Sequence, residues 1–238
     1  MNGTTTNMEL FSEDFIYKNL MGPNCLKILR ELIEVIEIKP NMRILDLGCG
    51  TGLTSIYLAK NFDVTVFATD LWIKPSENYQ RIKQFNLEDK VYPIYADATS
   101  LPYADEFFDI VVSVGAYNWF GCKSDYLQKC LLPLIKKEGL ICMSVPGVKP
   151  GFDGIVPDEL ASFWQENMNL YSFQWWHKLW SGINEIKIEK CSSVKCHQEA
   201  WEDWLKCDNP YAINDIKMME AEKGEYFDTV QIVAKKIF

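Results

Sequence analysis

At 238 residues the chain is long enough to bury a full core in one α/β unit with additions, so no second domain is required. Hydrophobic residues make up 48% and charged residues 24%, a balance that excludes an intrinsically disordered chain. A formal charge of −9 sets a mean field that repels phosphate backbones and anionic lipid surfaces, so neither nucleic acid nor a membrane is expected as a partner.

The start, Met1 to Asn7, is polar and lacks a secretory pattern. No stretch approaches the roughly 20 apolar residues of a membrane span, and a cytoplasmic location is expected. The eight cysteines fall at irregular spacings without a Cys-x-x-Cys pair, so they are read as reduced. Cys191, Cys196 and His197 lack a further correctly spaced ligand, and no metal is expected.

Apolar residues at Leu26, Leu29, Ile33 and Ile36 predict a helix over 24–38 that Pro40 ends. Arg43 to Leu47 then reads as a buried strand, Thr51 to Asn61 as a helix opened by glycines, and Val64 to Thr69 as a β-branched second strand. The alternation continues with a helix from Ser76 to Phe85, strands at Val91 to Tyr95 and Phe108 to Val114, a helix from Ser124 to Ile135, and a strand at Leu140 to Val145. Strands alternating with helices in this way predict an α/β, Rossmann-like parallel sheet covered on both faces.

A cluster of prolines and glycines from Pro146 to Pro157 marks a loop excursion. Beyond it, Asp158 to Asn167 and Gln174 to Trp180 read as helices, Glu185 to Ser192 as a strand, Glu199 to Cys207 and Ile213 to Gly224 as helices, and Phe227 to Ile237 as a closing strand.

The first strand ends in Asp46-Leu47-Gly48-Cys49-Gly50-Thr51-Gly52, between a predicted strand and a predicted helix, where ligands sit on a parallel sheet. Its glycines let the backbone approach a ligand, and the helix that follows presents free N–H groups to an anionic group. A dinucleotide fingerprint would place glycine where Leu53 stands, which disfavours a nicotinamide cofactor. Asp46 suits the ammonium of an amino-acid moiety better than a pyrophosphate. Asp70 ends the second strand roughly 20 residues on, where a carboxylate can accept ribose hydroxyls. Asp97, between Ala96 and Ala98 after the third strand, suits an exocyclic amine of adenine.

This stretch resembles the class I, seven-strand S-adenosylmethionine (SAM)-dependent methyltransferases, whose Asp-x-Gly-x-Gly-x-Gly loop matches Asp46 to Gly52. The resemblance covers roughly residues 40 to 145 and is supported by Asp70, Asp97 and Phe107-Phe108-Asp109-Ile110-Val111. It implies SAM as cofactor, an antiparallel last strand at Phe227 to Ile237, and one domain in which 1–39 forms a helical lid, 40–145 the SAM-binding core, 146–224 acceptor-side additions and 225–238 the last strand. It further implies that Gly48, Cys49, Gly50, Gly52, Leu71, Ala98 and Gly115 border the donor beside Asp46, Asp70 and Asp97. In the lid, Tyr17 and Met21 are the candidates to face SAM.

Residues after the fourth strand commonly border methyl transfer in that family, and here they run from Gly115 to Phe120, with aromatic faces at Tyr117, Trp119 and Phe120 and a polar amide at Asn118, the first candidates for an acceptor site. Six of the eight tryptophans lie between Trp164 and Trp204. Trp176 and Trp180 share a helical face, which suits a pocket wall or plain packing against the sheet. Tyr117 and His177 are the candidate catalytic residues, either histidine, His177 or His197, suiting a general base, with His177 preferred and His197 read as a surface residue. A neutral or cationic small-molecule acceptor is expected from the acidic and aromatic balance. A macromolecular acceptor, a non-catalytic SAM-binding protein and a nicotinamide-dependent reductase are the competing readings, and the oligomeric state stays open.

Overall fold

The computed structural model describes residues 10–238, so the polar start from Met1 to Asn7 lies outside the described residues. One sheet holds β1 (Arg43–Leu47), β2 (Thr65–Asp70), β3 (Val91–Tyr95), β4 (Phe108–Val114), β5 (Ile135–Val148), β6 (Ile186–Ser193) and β7 (Phe227–Lys236). Their order is β3-β2-β1-β4-β5-β7-β6. β1 to β5 pair in parallel, and β7 runs antiparallel to both β5 and β6. The mostly parallel Rossmann-like sheet and its reversed last strand are therefore as expected.

The helices are α1 (Glu13–Asn19), α2 (Cys25–Ile33), α3 (Leu53–Phe62), α4 (Pro75–Lys83), α5 (Phe173–Ser181), α6 (His197–Leu205) and α7 (Pro210–Glu222). Successive side chains on a strand point to opposite faces, so each strand supplies both halves of the core. Ile44, Ile110, Val112 and Cys142 join α2, α3 and α6 in one apolar cluster. Leu45, Val111, Ile141 and Met143 join α5 in a second cluster on the opposite face. Fully burying each aliphatic side chain contributes about 1.5–3 kcal/mol, and these two layers hold the strand ends in register.

Three expectations are corrected. The first long helix stops at Ile33, where the Glu34 N–H bonds to the Glu31 carbonyl, because the β-branched Val35 and Ile36 that follow crowd a helical turn. In place of a helix from Ser124 to Ile135 there is a π-turn at Leu127–Leu131 and a 3-10 turn at Leu132–Leu134, since Pro133 offers no N–H and β5 already begins at Ile135. Asp158 to Asn167 forms only short turns, at Asp158–Leu160 and Glu166–Met168. Its run of Ser, Phe, Trp and Asn has weak helix propensity, and Leu160, Phe163 and Trp164 instead pack around Val148 and Phe227 in a third cluster.

Candidate functional site

A cavity of about 500 Å³ opens at the carboxyl ends of β1, β2, β3, β4 and β5, the edge where ligands bind on parallel sheets. That volume falls within the range of small-molecule sites. Its first wall is the turn between β1 and α3. The Gly48 and Cys49 N–H groups donate to the Thr69 carbonyl at 2.8 and 3.2 Å, which pins the turn to β2. Gly48 has φ +71°, and a Cβ there would lie 2.3 Å from the Ala116 Cβ, so only glycine lets the turn pass this close to the end of β4. Gly52, with φ +82°, caps the N-terminus of α3.

Asp70 accepts from Gly50 N–H at 2.9 Å through Oδ2, and from the Trp72 and Ile73 N–H groups at 2.7 and 2.9 Å through Oδ1. A carboxylate offers about four lone-pair sites, so Oδ2 keeps room for one more donor. Asp97 Oδ1 accepts from both the N–H and the hydroxyl of Thr99, which draws its pKa below the ordinary value. Leu71, Trp72, Ala96 and Ala98 complete this part of the wall, and the Trp72 and Trp119 rings meet edge-on at 5.9 Å.

A network braces the turn from outside. Asn78 Nδ2 donates to the Gly50 carbonyl at 2.8 Å, Arg81 bonds Asn78 and Asn19 at 2.9 and 2.7 Å, and the Thr51 hydroxyl donates to the Asn19 carbonyl at 2.6 Å. Met21, just beyond α1, lines the cavity with its sulfur next to Gly50.

This arrangement supplies backbone and aspartates suited to a nucleoside joined to an amino acid. A family model described as a methyltransferase domain matches residues 44–139, the segment that builds this wall. Over these residues the chain is similar to that methyltransferase family. Phosphoethanolamine N-methyltransferase 3 of Arabidopsis thaliana is 33% identical over 153 residues, 64% of this chain and 27% of the relative. Cyclopropane-fatty-acyl-phospholipid synthase of Escherichia coli K12 is 32% identical over 126 residues, 51% of this chain and 30% of the relative. The chain thus spans less than a third of the length of either relative. Among solved structures, Haemonchus contortus phosphoethanolamine N-methyltransferase 2, in complex with SAM, superposes with a TM-score of 0.75 at 16% identity, over 97% of this chain and 59% of that one. At that identity the likeness concerns the methyltransferase fold alone.

The structure brings Met21, Gly48, Cys49, Gly50, Asp70, Leu71, Asp97, Ala98, Gly115, Trp119 and Phe120 to the cavity, and it does not bring Tyr17, Asp46, Gly52, Tyr117, Trp176, His177 or Trp180 there. Asp46, 1% exposed, lies beneath the turn and accepts from the Thr54 and Ser55 hydroxyls at 2.6 and 2.5 Å, so its carboxylate braces α3 instead of meeting an ammonium. Burial pushes its pKa up to about 6. Gly52 caps the helix behind the turn. Tyr17 turns its hydroxyl to Glu13 at 2.8 Å, and that bond pushes its pKa up to about 12.

Tyr117 is fully buried in the second core cluster, with ring centroids of Trp176 and Trp180 at 5.7 and 5.9 Å. Gly121 makes room for it, because a Cβ there would sit 2.1 Å from the ring. All three aromatics therefore pack α5 onto the sheet, and burial holds the Tyr117 phenol well above its ordinary pKa. His177 is exposed on α5, with Ser181 as its neighbour.

Asn118, from the stretch after the fourth strand, and Trp201, from the tryptophan-rich region, also reach the wall, whereas Cys25, Asp215, Met218, Asp228 and Thr229 had no motif to announce them. Cys25 lines the cavity from α2, and burial pushes its thiol up to about 12, so it is not a thiolate nucleophile at neutral pH. At the far end Trp201, Asp215, Met218, Asp228 and Thr229 complete the wall, and Asn118 lines it from the turn after β4. Of the residues without a motif, only Asp228 and Thr229 had a pointer, the register of β7, which sets Asp228 opposite Gly147 just past the apolar stretch of β5. Among the described residues no group of three or more His, Cys, Asp or Glu is placed to hold a metal ion, and no helix is long and apolar enough to cross a membrane.

Proposed function

We propose that the chain is an enzyme that transfers the methyl group of SAM to a small organic acceptor. One observation carries the reading: the glycine turn, Asp70 and Asp97 face the same cavity that runs on past β4 to the aromatic and acidic wall beyond β5. When bound, SAM supplies an electrophilic methyl group on a sulfonium. The Gly48–Gly50 backbone would border its amino-acid end, Asp70 Oδ2 would take a ribose hydroxyl, and Asp97 and Ala98 would flank adenine. Displacement at a methyl carbon needs donor and acceptor in line, and holding them so is worth up to about 7–11 kcal/mol, which makes orientation by the cavity wall the main catalytic contribution. The matched relatives carry names of enzymes that act on small molecules or lipids, which supports a small acceptor. Eight unpaired cysteines suit a reducing compartment and support a cytoplasmic placement.

Calorimetry with SAM, its demethylated product and NADH tests the donor reading. Binding of the first two and not the third is expected, and a folded protein that ignores SAM at millimolar concentration overturns it. Asp70→Ala should weaken SAM binding by about 1–3 kcal/mol, through the lost hydroxyl partner and the loosened Gly50. Unchanged affinity removes Asp70 from the donor site.

A further inference from the structure

The end of the cavity farthest from the donor turn has a one-sided chemistry. β7 lies three strand spacings from β1 in the sheet, roughly 14 Å at about 4.8 Å each, so Asp228 and Thr229 at its start are out of reach of the turn itself. Asp228 is 8% exposed and Asp215 is half-buried, and both line the cavity. Neither carboxylate forms an ion pair among the described residues. Asp228 accepts from the Ser193 hydroxyl and the Thr229 N–H, and Asp215 from the Trp204 indole at 2.7 Å. Among the described residues the cavity wall has no Lys, Arg or His. Nearby, Lys149 Nζ is held by the Gly224 carbonyl, and His197, behind Thr229, is kept below its ordinary pKa by burial.

A separate observation points the same way. Asn118 is 1% exposed and lines the cavity, yet its Oδ1 has no hydrogen-bond partner, while its Nδ2 donates to the Met168 carbonyl at 3.0 Å. A buried acceptor left unmade is costly, so a ligand that donates at this point gains affinity. Trp201 adds an aromatic face to the cavity lining, and Trp119 another beside Trp72.

We infer that the acceptor is a small organic amine, bound as its ammonium by Asp215 and Asp228 with Asn118 Oδ1 accepting an N–H, and that the site rejects acceptors bearing phosphate or carboxylate. This rests on the methyl-transfer reading and narrows it. It also separates the chain from relatives named for phosphoethanolamine, because an uncompensated pair of carboxylates repels a phosphate. For reaction, the ammonium gives one proton to a cavity carboxylate. The freed nitrogen lone pair forms the C–N bond to the methyl carbon as the C–S bond breaks and its electron pair goes to sulfur. The positive charge passes from sulfur to nitrogen, and the carboxylate returns its proton to solvent. Burial raises the pKa of Asp215, which suits it to take that proton.

The test titrates 2-phenylethylamine, its near-isostere 3-phenylpropionate and phosphoethanolamine into the protein saturated with S-adenosylhomocysteine. The phenylethylamine is expected to bind at least tenfold more tightly than either anionic probe, and Asp215→Asn, which keeps an oxygen for Trp204, should remove that preference. Asp228→Asn should do the same, and Asp215→Asn serves alone if the Asp228 variant does not fold. A preference under tenfold, or one that survives Asp215→Asn, overturns the inference. Failure to bind S-adenosylhomocysteine would instead overturn the donor reading, so the two failures are distinct.

Discussion

The two ends of the cavity are built by different means. At the donor end the chain works with backbone: Gly48, Cys49 and Gly50 are fixed by bonds to Thr69 and Asp70. At the far end the wall is made of side chains from α6, α7 and β7, with two carboxylates lacking ion-pair partners among the described residues, and the Asn118 amide oxygen on the turn after β4 lacks a donor. A ligand common to a whole family can be held by a turn that only needs glycine. A ligand particular to one member needs side chains.

Changes at the donor end should therefore be severe and indifferent to the acceptor. Gly48→Val is the largest: its side chain would overlap Ala116 and force a β-branched residue to φ +71°, so SAM affinity by calorimetry should fall more than a hundredfold. Retained affinity would show that the turn is looser than its contacts imply. A smaller effect is expected at Asp46, which braces the turn without touching the cavity. Its folded pKa of about 6 lies above the ordinary value of 3.8, so its stabilising contribution is complete below about pH 3.8 and is lost as pH rises through 6. Asp46→Asn removes that loss. Its stability by urea unfolding, relative to the parent, should rise by roughly 2–3 kcal/mol from pH 3.5 to pH 7, and a constant difference would contradict the burial argument. The smallest effect belongs to His177→Ala on exposed α5, which should change turnover less than twofold and stability by no more than about 0.5 kcal/mol. A large loss of turnover would return His177 to the site.

The same contrast explains what the sequence disclosed. β1, β3 and β4 begin and end where the β-branched and apolar runs do, at Arg43–Leu47, Val91–Tyr95 and Phe108–Val114, because turn-forming residues flank each one. The donor loop was legible for a related reason: its parts are consecutive in the chain and its glycines have a local cause. Nothing local marks Asp215 or Asp228, which reach the cavity wall only through tertiary packing. Trp176 and Trp180 show the limit most plainly, since their helical spacing suits a pocket and a core equally. The void beside Gly121 that receives Tyr117 decided for the core. Asp46 misled in another way, because two hydroxyls on α3, at Thr54 and Ser55, capture its carboxylate first.

The reversed direction of β7 has a practical corollary for engineering. A strand that runs against its neighbours contributes its opening residues, not its closing ones, to the rim they share, so Asp228 and Thr229 belong to the mouth while Lys236 sits at the opposite border, tethered to the Leu132 and Ile135 carbonyls. Inserting or deleting residues between α7 and β7 would reshape the mouth, whereas a tag fused after Phe238, itself largely solvent-exposed, would hang from the far side of the molecule and leave it alone.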